Sequence, residues 1–275
     1  MKIKWLSIML LFATLAVQSQ RKPKIKGNRT VIEVKEVLPP FTKIELRDDL
    51  DVSLRRSTEE AYMVQADDNL IDVLKFRVED STLIISSFYQ ITSKKKLEIE
   101  IAYTQLTAIT LSDGRLVAVD KVSSENLTVT TLGSAKIELG TDTGLVTINM
   151  QDNSSGTFNL TTDSLSVNLM NKADASIYSN SFNNLLNMKD NASLEIDGTA
   201  DNFEIALKDD ADLRAKDLEV RNIVASLKES SNAHLFSTEN LELRQQGSSR
   251  CYLYGDPAIS LKQFTDTAEL FKRQK

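Results

Sequence analysis

The sequence predicts an all-β protein: a right-handed parallel β-helix, or β-solenoid, with about eight coils of 18–21 residues. Three observations carry that prediction. One unit recurs between Leu106 and Pro257, beginning at Leu106, Leu127, Leu145, Leu165, Leu185, Phe203, Ile223 and Leu241, with spacings of 21, 18, 20, 20, 18, 20 and 18. Most units alternate apolar and polar residues, pass through a polar turn and a small residue, then alternate again, as in LTVTTLGSAKIEL and FEIALKDDADLRA. Period-two alternation is the mark of a half-buried strand. Unit length supplies the third observation, because helical repeats need about 33 residues or more and propeller blades about 40. With nine glycines in 275 residues and no strict multiple of six, neither a Gly-rich calcium-binding coil nor a hexapeptide coil fits.

In chain order, residues 1–19 read as a signal peptide: Lys2 and Lys4 give a basic start, Trp5 to Val17 an apolar run, and Val17 and Ser19 a small-residue cleavage pattern before Gln20. The run is shorter than the roughly 20 residues of a membrane-spanning helix. A lipid anchor needs a cysteine just behind the signal, and the only cysteine is Cys251, so the chain is expected to be exported but not a lipoprotein. Residues 20–30, with Arg21, Lys22, Lys24, Lys26 and Arg29, read as a solvated basic linker.

Residues 31–105 read as strands that start and cap the solenoid: VIEVKEV before Pro39 and Pro40, FTKIEL, LDVSLR, and four shorter runs up to Ile101. The stretch Asp67 to Phe76 is compatible with a short helical turn placing Leu70, Val73 and Leu74 together, and Lys94-Lys95-Lys96 reads as a solvated turn. Residues 106–258 form the repeat. Corresponding apolar positions are expected to stack into two inner ridges. One holds Leu127, Leu145, Leu165, Leu185, Phe203, Ile223 and Leu241; the other holds Ile137, Phe158, Ile177, Leu194, Leu213, Leu235 and Leu253. Residues 259–275 supply a last strand and a lid, where Phe264, Ala268 and Phe271 stand at helical spacing and Asp266 with Glu269 resembles a cap.

One cysteine forms no internal disulfide, and Cys251 reads as a small buried hydrophobe. Without Lys2 and Lys4 the chain carries 31 basic against 39 acidic residues, and beyond position 30 the balance is 26 against 39. Such a body does not suit nucleic acid, whose binding is driven by Lys and Arg.

The candidate functional surface is the polar turn of each coil, with Asp113, Ser134, Asp152, Asp174, Asp190, Asp209 with Asp210, Glu229 and Ser248. An acidic ladder of Asp174, Asp190, Asp209 and Asp210 would suit calcium, which takes several oxygen ligands. Lys189, Lys208 and Lys228 stand just before acids of the ladder, and Lys172 stands two before Asp174, so a basic row beside it would neutralise the acids. Asp and Asn are also turn residues in their own right, and the expectation is no metal and no cofactor. His234 is expected to point outward as an ordinary surface residue. No Gly-rich phosphate loop, HExxH or GxSxG occurs, and no catalytic residue is assigned. A groove with clustered carboxylates and a basic residue would favour a polysaccharide-active enzyme; an apolar face would favour a partner. An envelope scaffold or regulatory partner is a third reading.

FTKIELRDDLDVSL, ADDNLIDVLKFRVEDSTLII, LGSAKIEL and QQGSSRCYLYGDP, in that order, resemble the motifs of a bacterial family of exported auto-transporter adhesins with a head GIN domain. The resemblance spans about residues 31 to 262 and departs in the middle coils, where Gly-Ser turns become Lys-Asp-Asn-Ala, Lys-Asp-Asp-Ala and Lys-Glu-Ser-Ser. It implies a right-handed solenoid outside the cytoplasm that binds a protein or glycan of the envelope or the cell's surroundings. Fold alone does not name the ligand.

Overall fold

A computed structural model describes residues 22–274. The expected signal peptide lies outside the described residues. The chain winds into a β-solenoid of about nine turns. Its repeat is built on long strands: β12 (Val122–Thr131), β13 (Lys136–Met150), β14 (Ser155–Leu169), β15 (Asp174–Met188), β16 (Ser193–Leu207), β17 (Asp212–Leu227) and β18 (Asn232–Gln245). Each pairs in parallel with the next. Before them come β1 (Lys24–Lys26), β2 (Val31–Val37), β3 (Lys43–Leu46), β4 (Asp51–Arg56) and β5 (Ala61–Asp67), then helix α1 (Asp68–Ile71). After α1 follow β6 (Leu74–Glu79), β7 (Thr82–Ser87), β8 (Gln90–Ser93), β9 (Leu97–Tyr103), β10 (Ala108–Leu111) and β11 (Arg115–Ala118). The chain closes with β19 (Arg250–Tyr254), β20 (Ala258–Phe264) and β21 (Glu269–Lys272).

The N-terminal strands join the stack in parallel through β3 on β10 and β4 on β11, then turn antiparallel in the pairs β2–β5, β5–β9 and β6–β7. Change of direction ends the coil and caps its core. The short helix sits where the sequence admitted one, with Leu70 buried.

Residues 22–30 are a correction to the expected linker. β1 lies parallel to β8, and the Lys22 ammonium pairs with the Asp48 carboxylate. Asp67 is the clasp: its buried carboxylate accepts from the backbone amides of Arg29 at 3.1 Å, Lys95 at 3.1 Å and Lys96 at 3.2 Å. Gly27 passes so close that a Cβ there would lie 1.9 Å from Asp67 Oδ2. The Lys94-Lys95-Lys96 turn is thus held through its backbone rather than merely solvated.

The first inner ridge also differs from expectation. In register, the buried row runs Leu127, Val146, Leu165, Asn184, Phe203, Ile223, Leu241. Leu145 and Leu185 face outward, 39% and 40% exposed. A shift of one residue moves a strand side chain to the opposite face. Both leucines stand directly before another apolar residue, Val146 and Leu186, and pairing with neighbouring coils puts the second one inside. The corrected row is more regular than the sequence spacing, at 19 residues for four steps in succession.

All seven members of the second ridge are buried, but they occupy two adjacent rows. Ile137, Leu194 and Leu213 share one row with Ala175, Ala233 and Cys251; Phe158 and Ile177 share the other with Leu139 and Ile196. Cys251 sits beside Ala233, as a small buried side chain, and burial pushes its thiol up to about 12.

The expected C-terminal helix is absent. β20 and β21 continue the coil, and Asp266 holds φ of 62° in the next turn rather than capping a helix. The preceding coil offers a ready line of backbone partners, among them Gln245 O to Thr265 N and Ser249 O to Glu269 N. An isolated helix of that length would be marginal in water.

Candidate binding faces of the solenoid

Each coil closes through a turn with one residue in the left-handed region: Gly114, Gly133, Asp152, Asn171, Asp190, Asp209, Glu229, Gly247 and Asp266. Glycine, Asn and Asp are the residues that enter this region at least cost. The acids here have a backbone task. Asp152 Oδ2 accepts from the Gly133 amide at 3.0 Å, Asp190 Oδ2 from the Asn171 amide at 3.3 Å, and Asp266 Oδ2 from the Gly247 amide at 2.9 Å. A carboxylate from one coil thereby satisfies an amide of the coil before it.

The four acids singled out from sequence fall in three different rows. Asp190 and Asp209 take the left-handed position, Asp210 follows it, and Asp174 opens β15 between Ser155 and Ser193. Among the described residues no three His, Cys, Asp or Glu gather in a way that could hold a metal ion. Lys189, Lys208 and Lys228 lead three successive turns, and Lys208 Nζ stands 3.7 Å from Asp209 Oδ1.

His234 faces outward as expected but is half-buried in a stack. Its ring lies 4.4 Å from Tyr252 at 18°, Tyr252 lies 5.1 Å from Phe271 at 15°, and Arg273 covers both Tyr252 and Phe271. His234 Nδ1 is 3.3 Å from the Tyr254 hydroxyl, and burial holds the imidazole below its ordinary pKa. Consecutive coils in register bring these rings together.

Two further rows escaped the sequence reading. Asn149, Asn168 and Asn187 form one ladder, with Nδ2 to Oδ1 distances of 2.9 and 3.1 Å. Asn183, Asn202, Asn222 and Asn240 form another, at 3.0, 3.3 and 2.8 Å. Recurrence of Asn at steps of 18–20 residues was the available signal; it is visible once the register is fixed.

The second ladder runs beside a corner. In β15 the in-and-out alternation breaks at Phe182 and Asn183, two successive outward residues, and the corner positions Asp163, Phe182 and Asp201 drop out of the backbone register. A groove of about 560 Å³ lies on one side of this corner, lined by Thr143, Asp163, Asn180, Phe182, Asp201 and Arg221 among others. On the other side lies a groove of about 450 Å³, lined by Asn183, Asn202 and Asn222 of the ladder with Leu145, Leu185 and Val224. Phe182 is 58% exposed between them. Inside the corner, Asn184 Oδ1 accepts from Ser181 Oγ at 2.7 Å, while Asn184 Nδ2 is buried without a partner.

Coils, turn ladders and outward grooves together define a non-globular β-solenoid whose long faces display side chains in rows. Residues 40–185 and 153–257 match the family model described as "Putative auto-transporter adhesin, head GIN domain", and the chain belongs to that family. No curated protein matches it. Among solved structures it is similar to a putative adhesin of Parabacteroides distasonis, at 16% identity and TM-score 0.68, covering 91% of this chain and 100% of that one. It is also similar to a putative adhesin of Parabacteroides merdae, at 15% identity and TM-score 0.60, covering 92% and 98%. A third, a putative lipid binding protein of Parabacteroides distasonis, shares 18% identity and TM-score 0.64 over 90% and 96%. At these identities the likeness is one of fold. No helix among the described residues is long and apolar enough to cross a membrane.

Proposed function

We propose that the chain is a non-enzymatic, exported, adhesin-like binding module that presents its solenoid faces to a protein or glycan. The observation that carries this reading is the 560 Å³ groove, lined by side chains from β13 through β18. A surface made by so many layers suits an extended ligand better than a small metabolite, for which enclosed apolar pockets are the rule. Family membership and the basic, apolar N-terminal leader fit a role outside the cytoplasm.

A second reading, a polysaccharide-active enzyme, draws on the same groove, which gathers Asp163, Asp201 and Arg221. Binding is preferred because Asp163 and Arg221 are water-exposed and Asp201 lies 3.6 Å from the Arg221 guanidinium. Acid catalysis at a glycosidic bond places one carboxyl against an apolar wall instead.

Glycan-array binding with the purified full chain, with and without calcium, tests both, alongside release of reducing ends from any bound glycan. Binding without cleavage is expected. Cleavage establishes the enzyme reading, and absence of glycan binding moves the search to proteins captured from the envelope.

A further inference from the structure

We infer that the groove beside Phe182 binds a neutral, unbranched polysaccharide chain lying along the solenoid axis. This deepens the binding-module reading and rests on it. The groove is lined from Asp142 in β13 to Thr238 in β18, six successive layers. At about 4.8 Å per layer that is roughly 24 Å, long enough for several sugar units.

The chemistry of the lining fits pyranose hydroxyls, which both donate and accept. Thr161 Oγ1 can do both and Asn180 Nδ2 can donate, while Ser181 Oγ and Thr199 Oγ1, whose protons go to Asn184 Oδ1 at 2.7 Å and Asn180 Oδ1 at 3.1 Å, can accept. Along the far side of the corner, each internal amide of the Asn183, Asn202, Asn222 and Asn240 ladder spends one N–H and one lone pair on its neighbours. One N–H and one lone pair per amide remain for a ligand. Phe182 stands 58% exposed at the corner, and among the described residues no ring or cation stacks on it. Its free face can take the C–H face of a sugar ring by dispersion contact.

Charge and backbone narrow the ligand further. Four carboxylates, Asp142, Asp163, Asp201 and Glu219, line the groove against the single guanidinium of Arg221. That excess repels uronate or sulfated glycans. Peptide capture by strand addition needs a free sheet edge, whereas β14 to β17 are paired with a neighbouring coil on both sides. The strands leave only side chains for recognition.

The test is isothermal titration of the purified full chain with neutral hexaoses of β-1,4-glucose, β-1,4-xylose, β-1,4-mannose and α-1,4-glucose, beside oligogalacturonate and octalysine. At least one neutral hexaose binds; Phe182→Ala weakens it at least tenfold, Phe182→Trp retains it, and the thermal midpoint of both variants stays that of the parent. A control at the opposite end of the repeat, Phe264→Ala, leaves affinity unchanged. Failure of every neutral hexaose to bind, preference for oligogalacturonate or octalysine, or binding indifferent to Phe182→Ala overturns the inference. Where one of those other ligands binds, or a hexaose binds elsewhere, the binding-module reading survives without this site. Release of reducing ends instead removes that reading itself.

Discussion

The Asp152 carboxylate accepts a hydrogen bond from the Gly133 amide of the preceding coil at 3.0 Å, while Asp152 itself holds a left-handed φ of 61°. One residue thus closes its own turn and fastens it to the layer below. The acidic turn row has a structural origin in this geometry.

Asp152→Ala is expected to lower stability by about 2 kcal/mol, combining the left-handed penalty of an L side chain with a lost hydrogen bond. Asp152→Gly costs less, and Asp152→Asn costs least without being neutral, because its one amide oxygen can accept from only one of the two donors, the Gly133 amide and Asn171 Nδ2, that the carboxylate serves. Thermal midpoints of the three variants give the order. Calcium leaves the parent midpoint in place; a rise with calcium would make the row an ion site.

Asn184 occupies an inward position between Leu165 and Phe203 of the adjoining coils, with its Nδ2 unpaired. A buried unpaired polar group costs about 1–3 kcal/mol. Asn184→Leu should therefore raise the thermal midpoint. Leu186→Ala, buried between Val167 and Ile205 of the adjoining coils, should cost about 2–5 kcal/mol, while Leu185→Ser at the exposed neighbour costs far less. Equal effects at 185 and 186 would show the register to be wrong.

Asp67 ties the first strand to the cap. Burial opposes its charge, but the amides of Lys95, Arg29 and Lys96 outweigh that and hold its carboxyl below the usual range. Its contribution is present above the unfolded-state value of about 3.9 and is lost as pH falls through the lowered folded value. Gly27→Ala, which drives a Cβ into the carboxylate, and Asp67→Ala should both free β1. Limited trypsin digestion reads this as faster cleavage at Lys24, Lys26 and Arg29; unchanged cleavage refutes the clasp.

Cys251 is fully buried and its thiol is pushed up to about 12 by that burial. It should ignore a disulfide reagent at pH 8 in the native protein and react at once in denaturant. Above about pH 8.5, where a free thiol ionises, the unfolded chain gains what the fold withholds, so stability declines from there toward pH 12. Rapid native labelling would contradict the burial.

The repeat was legible because its residue types do two local jobs. Alternation marks strands, and Asp, Asn and Gly mark turns that need a left-handed residue, so β12 to β18 and their turns follow from the sequence. The apolar residues also announced a stacked core, and Cys251, at a position other units fill with Ile137, Ile177 or Ala233, was readable as core. Which of two adjacent apolar residues points inward was not readable, since Leu185 and Leu186 are alike in isolation.

Sequence by itself determined the solenoid, its period and its turn chemistry, all of which are properties of one coil. Tertiary structure alone decided the register between coils, and with it everything that needs two or more layers. It turned Leu145 and Leu185 outward, joined asparagines 19 residues apart into ladders, stacked His234 on Tyr252, and set Phe182 at the lip of a groove. It also drew residues 22–30 onto the cap and kept the last residues in strand. The physical reason is that interlayer hydrogen bonds must be satisfied together along the whole stack, and a single coil carries no record of the partner that satisfies it.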